Sequence, residues 1–177
     1  DEGIIKMTLA LTSYLKTSLN KGSDIIPLEK EIEHTASYLY IQSIRYKDRF
    51  TYDIVVDPSL HGRIVPKLIV QPLVENAIYH GIKRKREPSH VTIRAWEENG
   101  LLHIDIADNG AGMTDERAEK LRTALRSRDA TERVGFGVRN VNERIRIMYG
   151  EAYTLTFESE EGMGTTFHIV IPEKEGG

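Results

Sequence analysis

Asp108 is followed by Asn109, Gly110, Ala111, Gly112 and Met113, and this run offers a defined piece of chemistry. A carboxylate accepts hydrogen bonds only, while glycines tolerate positive φ and let a ligand approach the backbone closely. Together they make an acceptor for an amino group beside a backbone-lined wall. Asp-Asn-Gly is equally ordinary turn chemistry, so the run alone does not separate a turn from a site. Upstream, Asn76 and His80 are four residues apart and Lys83 is seven from Asn76. A helix would carry all three along one side. An amide oxygen suits a hard cation such as Mg²⁺, and an imidazole and an ammonium suit phosphate oxygens, but the same three residues also make a wet helix face. Downstream, Gly135 and Gly137 flank Phe136 at the start of an apolar-periodic stretch, where unpaired N–H groups and the helix dipole favour an anion.

These residues need elements to hold them. Ile4, Ile5, Leu9, Leu11, Leu15 and Leu19 have mostly helical spacing, closed by Asn20-Lys21-Gly22. A second helix follows Pro27; Glu29, Lys30, Glu31 and Glu33 open it on the acid side, and Ile32, Ala36, Leu39, Tyr40 and Ser43 fall near one face. His34, between Glu33 and Thr35, is expected at the surface. Two consecutive amphipathic helices predict a hairpin-like, partner-seeking unit, and a chain that opens inside a helical pattern is expected to be a fragment. From Phe50 the period becomes two and Asp57-Pro58 stops the strand, which places a domain boundary between residues 1–49 and 50–177.

After Val65-Pro66, a helix buries Leu73, Val74, Ala77 and Ile78. Residues 91–96 and 101–106 alternate around a Glu98-Asn99-Gly100 hairpin, so Asp108 ends a strand. Thr114 caps a short helix carrying Ala118, Leu121 and Leu125, and residues 126–133, poor in apolar side chains, predict a mobile loop. Val138, Val141, Ile145 and Met148 define the helix after Gly137, and strands over 153–157 and 165–171 close the chain. The fold class is α+β: a two-layer α/β sandwich whose mixed, mainly antiparallel sheet is covered on one face by helices and preceded by helical segments.

Composition narrows the choices. With 177 residues, 40% hydrophobic and 29% charged, the chain can bury one substantial core. A net charge of -3 gives no overall attraction to nucleic acid, and Lys83-Arg84-Lys85-Arg86 reads as a solvated loop. Without cysteine there is neither a disulfide framework nor a thiolate metal site. No apolar run reaches transmembrane length, no signal-peptide pattern opens the chain, and no Walker loop, dinucleotide fingerprint, Ser-His-Asp pattern or His-ligand spacing occurs.

Three motifs in order carry a resemblance. The stretch Gln71-Pro72-Leu73-Val74-Glu75-Asn76-Ala77-Ile78-Tyr79-His80-Gly81 resembles the N box of the GHKL ATPase superfamily, Asp108 to Met113 its G1 box, and Gly135-Phe136-Gly137-Val138-Arg139-Asn140-Val141 its G2 box. Gly164-Thr165-Thr166-Phe167 resembles the closing strand of that fold. Within the superfamily, Gln-Pro-Leu-Val-Glu-Asn-Ala with His-Gly behind it, and the run from Asn140 to Gly150, resemble LytS-type sensor histidine kinases, and residues 28–49 match that family's linker.

The resemblance implies an ATP-binding catalytic domain of a two-component kinase, with ATP and Mg²⁺ as cofactors. It implies that Asp108 accepts the adenine amino group with Thr165 in the same network, that Asn76 ligates Mg²⁺, and that His80 and Lys83 contact phosphates. Gly110, Gly112 and Met113, then Gly135, Phe136 and Gly137, would frame a lid over about residues 113–135. Pro72 stands where many relatives carry a metal-binding or catalytic side chain, which leaves Glu75 as the candidate general base or histidine-orienting group. The phosphoacceptor of the family sits in a Pro-His-Phe setting that this chain lacks, so the isolated chain is expected to bind nucleotide without phosphorylating itself. Implied partners are a phosphoacceptor histidine domain, a response regulator and a second copy in a full-length homodimer, with no nucleic acid. The implied location is the cytoplasmic part of a membrane-anchored protein. The alternative is a noncatalytic ATP-gated interaction module of the same fold.

Overall fold

The computed structural model describes residues 2–19, 22–84, 87–129 and 134–173. Its centre is a five-stranded sheet in the order β2 (Phe50–Val56), β4 (Ser89–Glu98), β5 (Leu101–Asp108), β7 (Gly164–Pro172) and β6 (Thr156–Glu160). β2 runs parallel to β4, and every other pairing is antiparallel, so the sheet is mixed and mainly antiparallel as expected. The β4–β5 hairpin turns on Asn99 and Gly100, both at positive φ (54° and 77°), the conformation that a tight two-residue hairpin demands.

Helices α3 (Gln71–Arg84) and α5 (Phe136–Tyr149) cover one face. Leu73, Val74 and Ala77 of α3 and Val138, Val141 and Ile145 of α5 are buried with Ile93, Ile104, Ile106, Phe167 and Ile169 of the sheet. Each fully buried Leu, Ile or Phe contributes about 1.5–3 kcal/mol by leaving water, so this layer dominates the stability and fixes where α3 sits. Helix α4 (Asp115–Arg126) starts at Thr114, whose hydroxyl accepts the Arg117 N–H, and packs on α5. The expected loop over 126–133 starts only after Arg126, and residues 130–133 lie outside the described residues.

The N-terminal helices are α1 (Glu2–Leu19) and α2 (Leu28–Tyr46), which pack on each other. Ile4, Ile5 and Leu9 of α1 stay exposed. Leu28 and Leu39 of α2 belong to the same core as the sheet. Two expectations for α2 need correction. Its buried line runs through Leu28, Glu31, Thr35 and Leu39, whereas Ile32, Ala36, Tyr40 and Ser43 are only half-buried. His34, expected at the surface, is buried. The cause is a short ribbon absent from the sequence reading: β1 (Ile25–Pro27) pairs antiparallel with β3 (Ile64–Pro66), and this draws the chain before α3 over the first turns of α2.

The strand expected from residue 153 starts only at Thr156. Gly150, at φ 93°, ends α5, and Tyr153 N–H turns back to the Gly150 carbonyl. Buried Asn142 then accepts the Leu155 N–H (2.8 Å) and donates to the Leu125 carbonyl (3.0 Å). A side chain thus satisfies the backbone that a strand ladder would otherwise serve.

Candidate functional site

Asp108 is the last residue of β5, opposite Val91 on β4 and Thr165 on β7. Two central strands therefore fix its direction. Its Oδ1 accepts the Gly110 N–H at 2.8 Å. Asn109 secures the same turn by accepting the His90 N–H (2.7 Å). The Thr165 hydroxyl lies 2.8 Å from that of Ser159 on β6. Two glycines are required for close approach. A Cβ on Gly112 (φ 62°) would stand 1.9 Å from the Glu160 carbonyl oxygen, and one on Gly164 (φ 125°) 1.9 Å from that of Asp108.

These residues line a cavity of about 110 Å³. Asp108, Gly112, Met113 and Thr165 supply the sheet side, Asn76 and His80 the α3 side, and Gly135 the α5 side. The spacing of Asn76 and His80 on one helical face thus does bring both to the cavity that Asp108 lines. Gly135 caps α5 in the left-handed region (φ 62°). A Cβ there would lie 2.4 Å from Leu121 Cδ1, so the glycine lets α4 close against α5.

Four expected residues, Gly110, Phe136, Gly137 and Glu75, stand outside this lining. Gly110 is buried and serves Asp108 rather than the cavity wall. Phe136 is exposed and outside the lining, because α5 already begins at that residue and turns its side chain away. Gly137 borders a neighbouring cleft together with Glu75. The backbone of Lys83 lies on α3, and its side chain is outside the described residues. Glu75 is exposed, and its Oε1 accepts a hydrogen bond from Gln71 Nε2 at 2.9 Å.

Sequence reading missed Arg117, Leu121, Val134 and Val138 in the cavity wall. Arg117 reaches from α4 to within 3.4 Å of His80 Nε2. Its place one turn after the Thr114 cap, on the face that Leu121 shares, is the signal that points it inward.

A second missed element holds α3 itself. The Glu31 carboxylate accepts the N–H groups of Leu68 and Val70, each at 3.0 Å. Leu68 is in the left-handed region (φ 61°), strained for a branched side chain, and the carboxylate fixes it there. Burial pushes the Glu31 pKa up, and the surrounding N–H groups of residues 68–71 oppose that shift. Burial lowers the pKa of His34 next to it, helped by the charge of Lys67 and opposed by a hydrogen bond with Gln71.

Chemically, the cavity offers a strand-fixed carboxylate, glycine-lined backbone and an amide oxygen. No group of three or more His, Cys, Asp or Glu side chains able to hold a metal occurs among the described residues. The Asn76 amide oxygen in the cavity suits a cation that takes one or two protein oxygens and keeps water and phosphate for the rest, as Mg²⁺ does. Nor is any helix among the described residues long and apolar enough to cross a membrane.

Residues 63–175 match the family described as Histidine kinase-, DNA gyrase B-, and HSP90-like ATPase, and residues 1–50 match the family described as Histidine kinase. The sensor protein LytS of Bacillus anthracis is 32% identical over 173 residues, covering 97% of this chain and 29% of the relative. The sensor histidine kinase YesM of Bacillus subtilis is 32% identical over 169 residues, covering 96% and 28%. The chain therefore spans less than a third of the length of these relatives. Among solved structures, the catalytic domain of histidine kinase ThkA shares the fold at a TM-score of 0.60 and 19% identity, covering 84% of this chain and 94% of that one. The histidine kinase domain of the blue-light activated kinase EL346 of Erythrobacter litoralis matches at 0.59 and 15%, covering 97% and 75%.

Proposed function

Because the chain belongs to the Histidine kinase-, DNA gyrase B-, and HSP90-like ATPase family, we propose that its cavity binds ATP with Mg²⁺ and serves phosphoryl transfer to a histidine in a sensor kinase. The observation that carries this reading is Asp108, held by strand pairing opposite Thr165 in a glycine-lined cavity with Asn76 on the facing helix.

Asp108 accepts the adenine amino group, with Thr165 beside it. Guanine presents an acceptor at that position, which would leave the carboxylate unpaired at a cost of about 1–3 kcal/mol for the lost bond and more for the charge. Asn76 supplies the oxygen for Mg²⁺. When bound, Mg²⁺ neutralises phosphate charge. His80 and Lys83 contact the phosphates, and Gly110, Gly112 and Met113 with Gly135, Phe136 and Gly137 frame the lid. Ligand pockets commonly enclose about 300–1,000 Å³. The cavity here is smaller, so admitting the nucleotide requires its walls, among them Arg117 and Leu121 on α4, to open.

In the transfer, an imidazole nitrogen attacks the γ-phosphorus. The new N–P bond forms as the bond to the bridging oxygen breaks, and that electron pair leaves on ADP. Glu75, held by Gln71, orients the imidazole and takes its proton. The histidine lies on dimerisation helices outside this chain, in a homodimeric, membrane-anchored protein whose response regulator receives the phosphoryl group. Residues 1–49 form the end of that dimerisation region and 50–177 the catalytic domain.

A thermal melt with Mg-ATP tests the binding step. At a hundred times the Kd, a ligand specific for the folded state adds about 2.7 kcal/mol, which raises the Tm by about 5–10 °C. An unchanged Tm at millimolar Mg-ATP refutes the reading. Acid-labile phosphorylation of a supplied histidine-bearing domain separates phosphoryl transfer from an ATP-gated interaction module.

A further inference from the structure

Asn76 borders two cavities. Besides the one shared with Asp108, it lines a cleft of about 380 Å³ between α2 and α3. Glu75, Asn76 and Gly137 form one wall of this cleft, and Tyr38, Gln42 and Arg45 of α2 form the other. Among the described residues, Arg45 is the one cation in its lining and Glu75 the one carboxylate. The Arg45 guanidinium rests 5.2 Å from the ring centre of its neighbour Tyr46 and makes no ion pair with a described carboxylate. A basic residue in the last turn of α2 complements the helix dipole wherever its side chain points. That role does not explain why Arg45 lines the same cleft as Glu75.

We propose that Arg45 is a catalytic residue, contacting the γ-phosphoryl group as it passes Asn76 from the nucleotide cavity to an imidazole seated in the α2–α3 cleft. This rests on the phosphoryl-transfer reading above. In-line displacement needs donor and acceptor on opposite sides of the phosphorus, and Asn76 lines both the nucleotide cavity and the α2–α3 cleft. The transferring group spreads negative charge over its equatorial oxygens. On the nucleotide side, Arg117 lies beside His80; on the acceptor side, the exposed Arg45 supplies positive charge. Its planar fork can meet two of those oxygens at once, which an ammonium cannot. Bonds and protons balance as described: N–P forms, the bridging P–O bond breaks toward ADP, and the imidazole proton passes to Glu75, while Arg45 keeps its proton throughout.

The test compares wild type, Arg45→Gln, Arg45→Ala and Arg45→Lys in the protein carrying its phosphoacceptor region, following histidine phosphorylation at saturating Mg-ATP. Arg45→Gln is expected to slow transfer about 100-fold, the usual loss for one transition-state donor, while ATP affinity by calorimetry and the Tm stay at wild-type values. Arg45→Lys recovers part of the rate, and millimolar methylguanidinium restores part of it to Arg45→Ala. A purely structural arginine would move the Tm and leave the saturated rate alone. Transfer at the wild-type rate in Arg45→Gln overturns the assignment of Arg45. Wild type that binds ATP but phosphorylates no histidine overturns the transfer reading, and this proposal with it.

Discussion

Replacing Glu31 by alanine should unseat α3 from a point outside the cavity that Asp108 lines. The carboxylate accepts two backbone N–H groups, from Leu68 and Val70, and Val70 is fully buried. A buried donor left without its partner costs about 1–3 kcal/mol. Leu68 is partly exposed and can turn to water, so the expected loss is about 2–4 kcal/mol, or about 4–16 °C in Tm for a chain of this size. Thermal and urea unfolding measure it directly. The loop before α3 also relaxes, so Mg-ATP affinity falls with stability. The pH dependence provides an internal control. Burial raises the carboxyl pKa above its ordinary value in the folded state, so its contribution is fully present below that ordinary value. It is lost as pH rises through the raised value. Wild type should therefore lose stability across that window, whereas Glu31→Gln, with nothing to ionise there, should stay flatter. A Tm loss below about 2 °C for Glu31→Ala would refute the view that this clasp holds the loop.

Three further outcomes follow from the site. Asp108→Asn should abolish adenine-nucleotide binding while leaving the unfolding transition cooperative, and unchanged ATP affinity by calorimetry would dismiss the base-selecting role. For Asn76→Ala, titrations with and without Mg²⁺ should converge; a Mg²⁺ effect as large as in wild type would remove Asn76 from the metal site. Gly164→Ala forces a Cβ to 1.9 Å from the Asp108 carbonyl oxygen at positive φ, so it should cost at least about 1–3 kcal/mol and weaken ATP binding. An unshifted melt would count against that contact.

Local periodicity made much of the frame legible. Phe50–Val56 alternates because its strand buries one face, Asn99 and Gly100 announce their hairpin, and Thr114 caps a helix that starts where its hydroxyl allows. Asp108 and Asn76 could be paired from motifs alone, since each ends or faces a regular element. Glu31 could not. Four acidic or basic residues at the start of a helix look like dipole complements, and the partners of Glu31 lie 37 and 39 residues away. The trace it left was positional: Leu28, Glu31, Thr35 and Leu39 recur at spacings of three and four, so the carboxylate shares the face of two core leucines. His34 became buried against Lys67 and Gln71, residues brought there by the chain that follows two three-residue strands too short to leave a period. Arg117 escaped notice because a charged residue in a first turn normally faces water.

The pairing of Asp108 with Thr165 also separates what evolution can vary from what it cannot. Adding one residue between Gly164 and Phe167 would slip the register and send Thr165 to the opposite side of the sheet, carrying the base pocket with it. The segment between Gly112 and Gly135 is restricted differently: it leaves and rejoins the frame at two glycines, and its helix α4 is held by packing on α5 rather than by strand register. If the cavity binds nucleotide as proposed, base choice is written into strand register, whereas the α4 segment forms a separately packed cassette. Grafting that cassette between relatives should change how fast the site opens without changing which base it accepts.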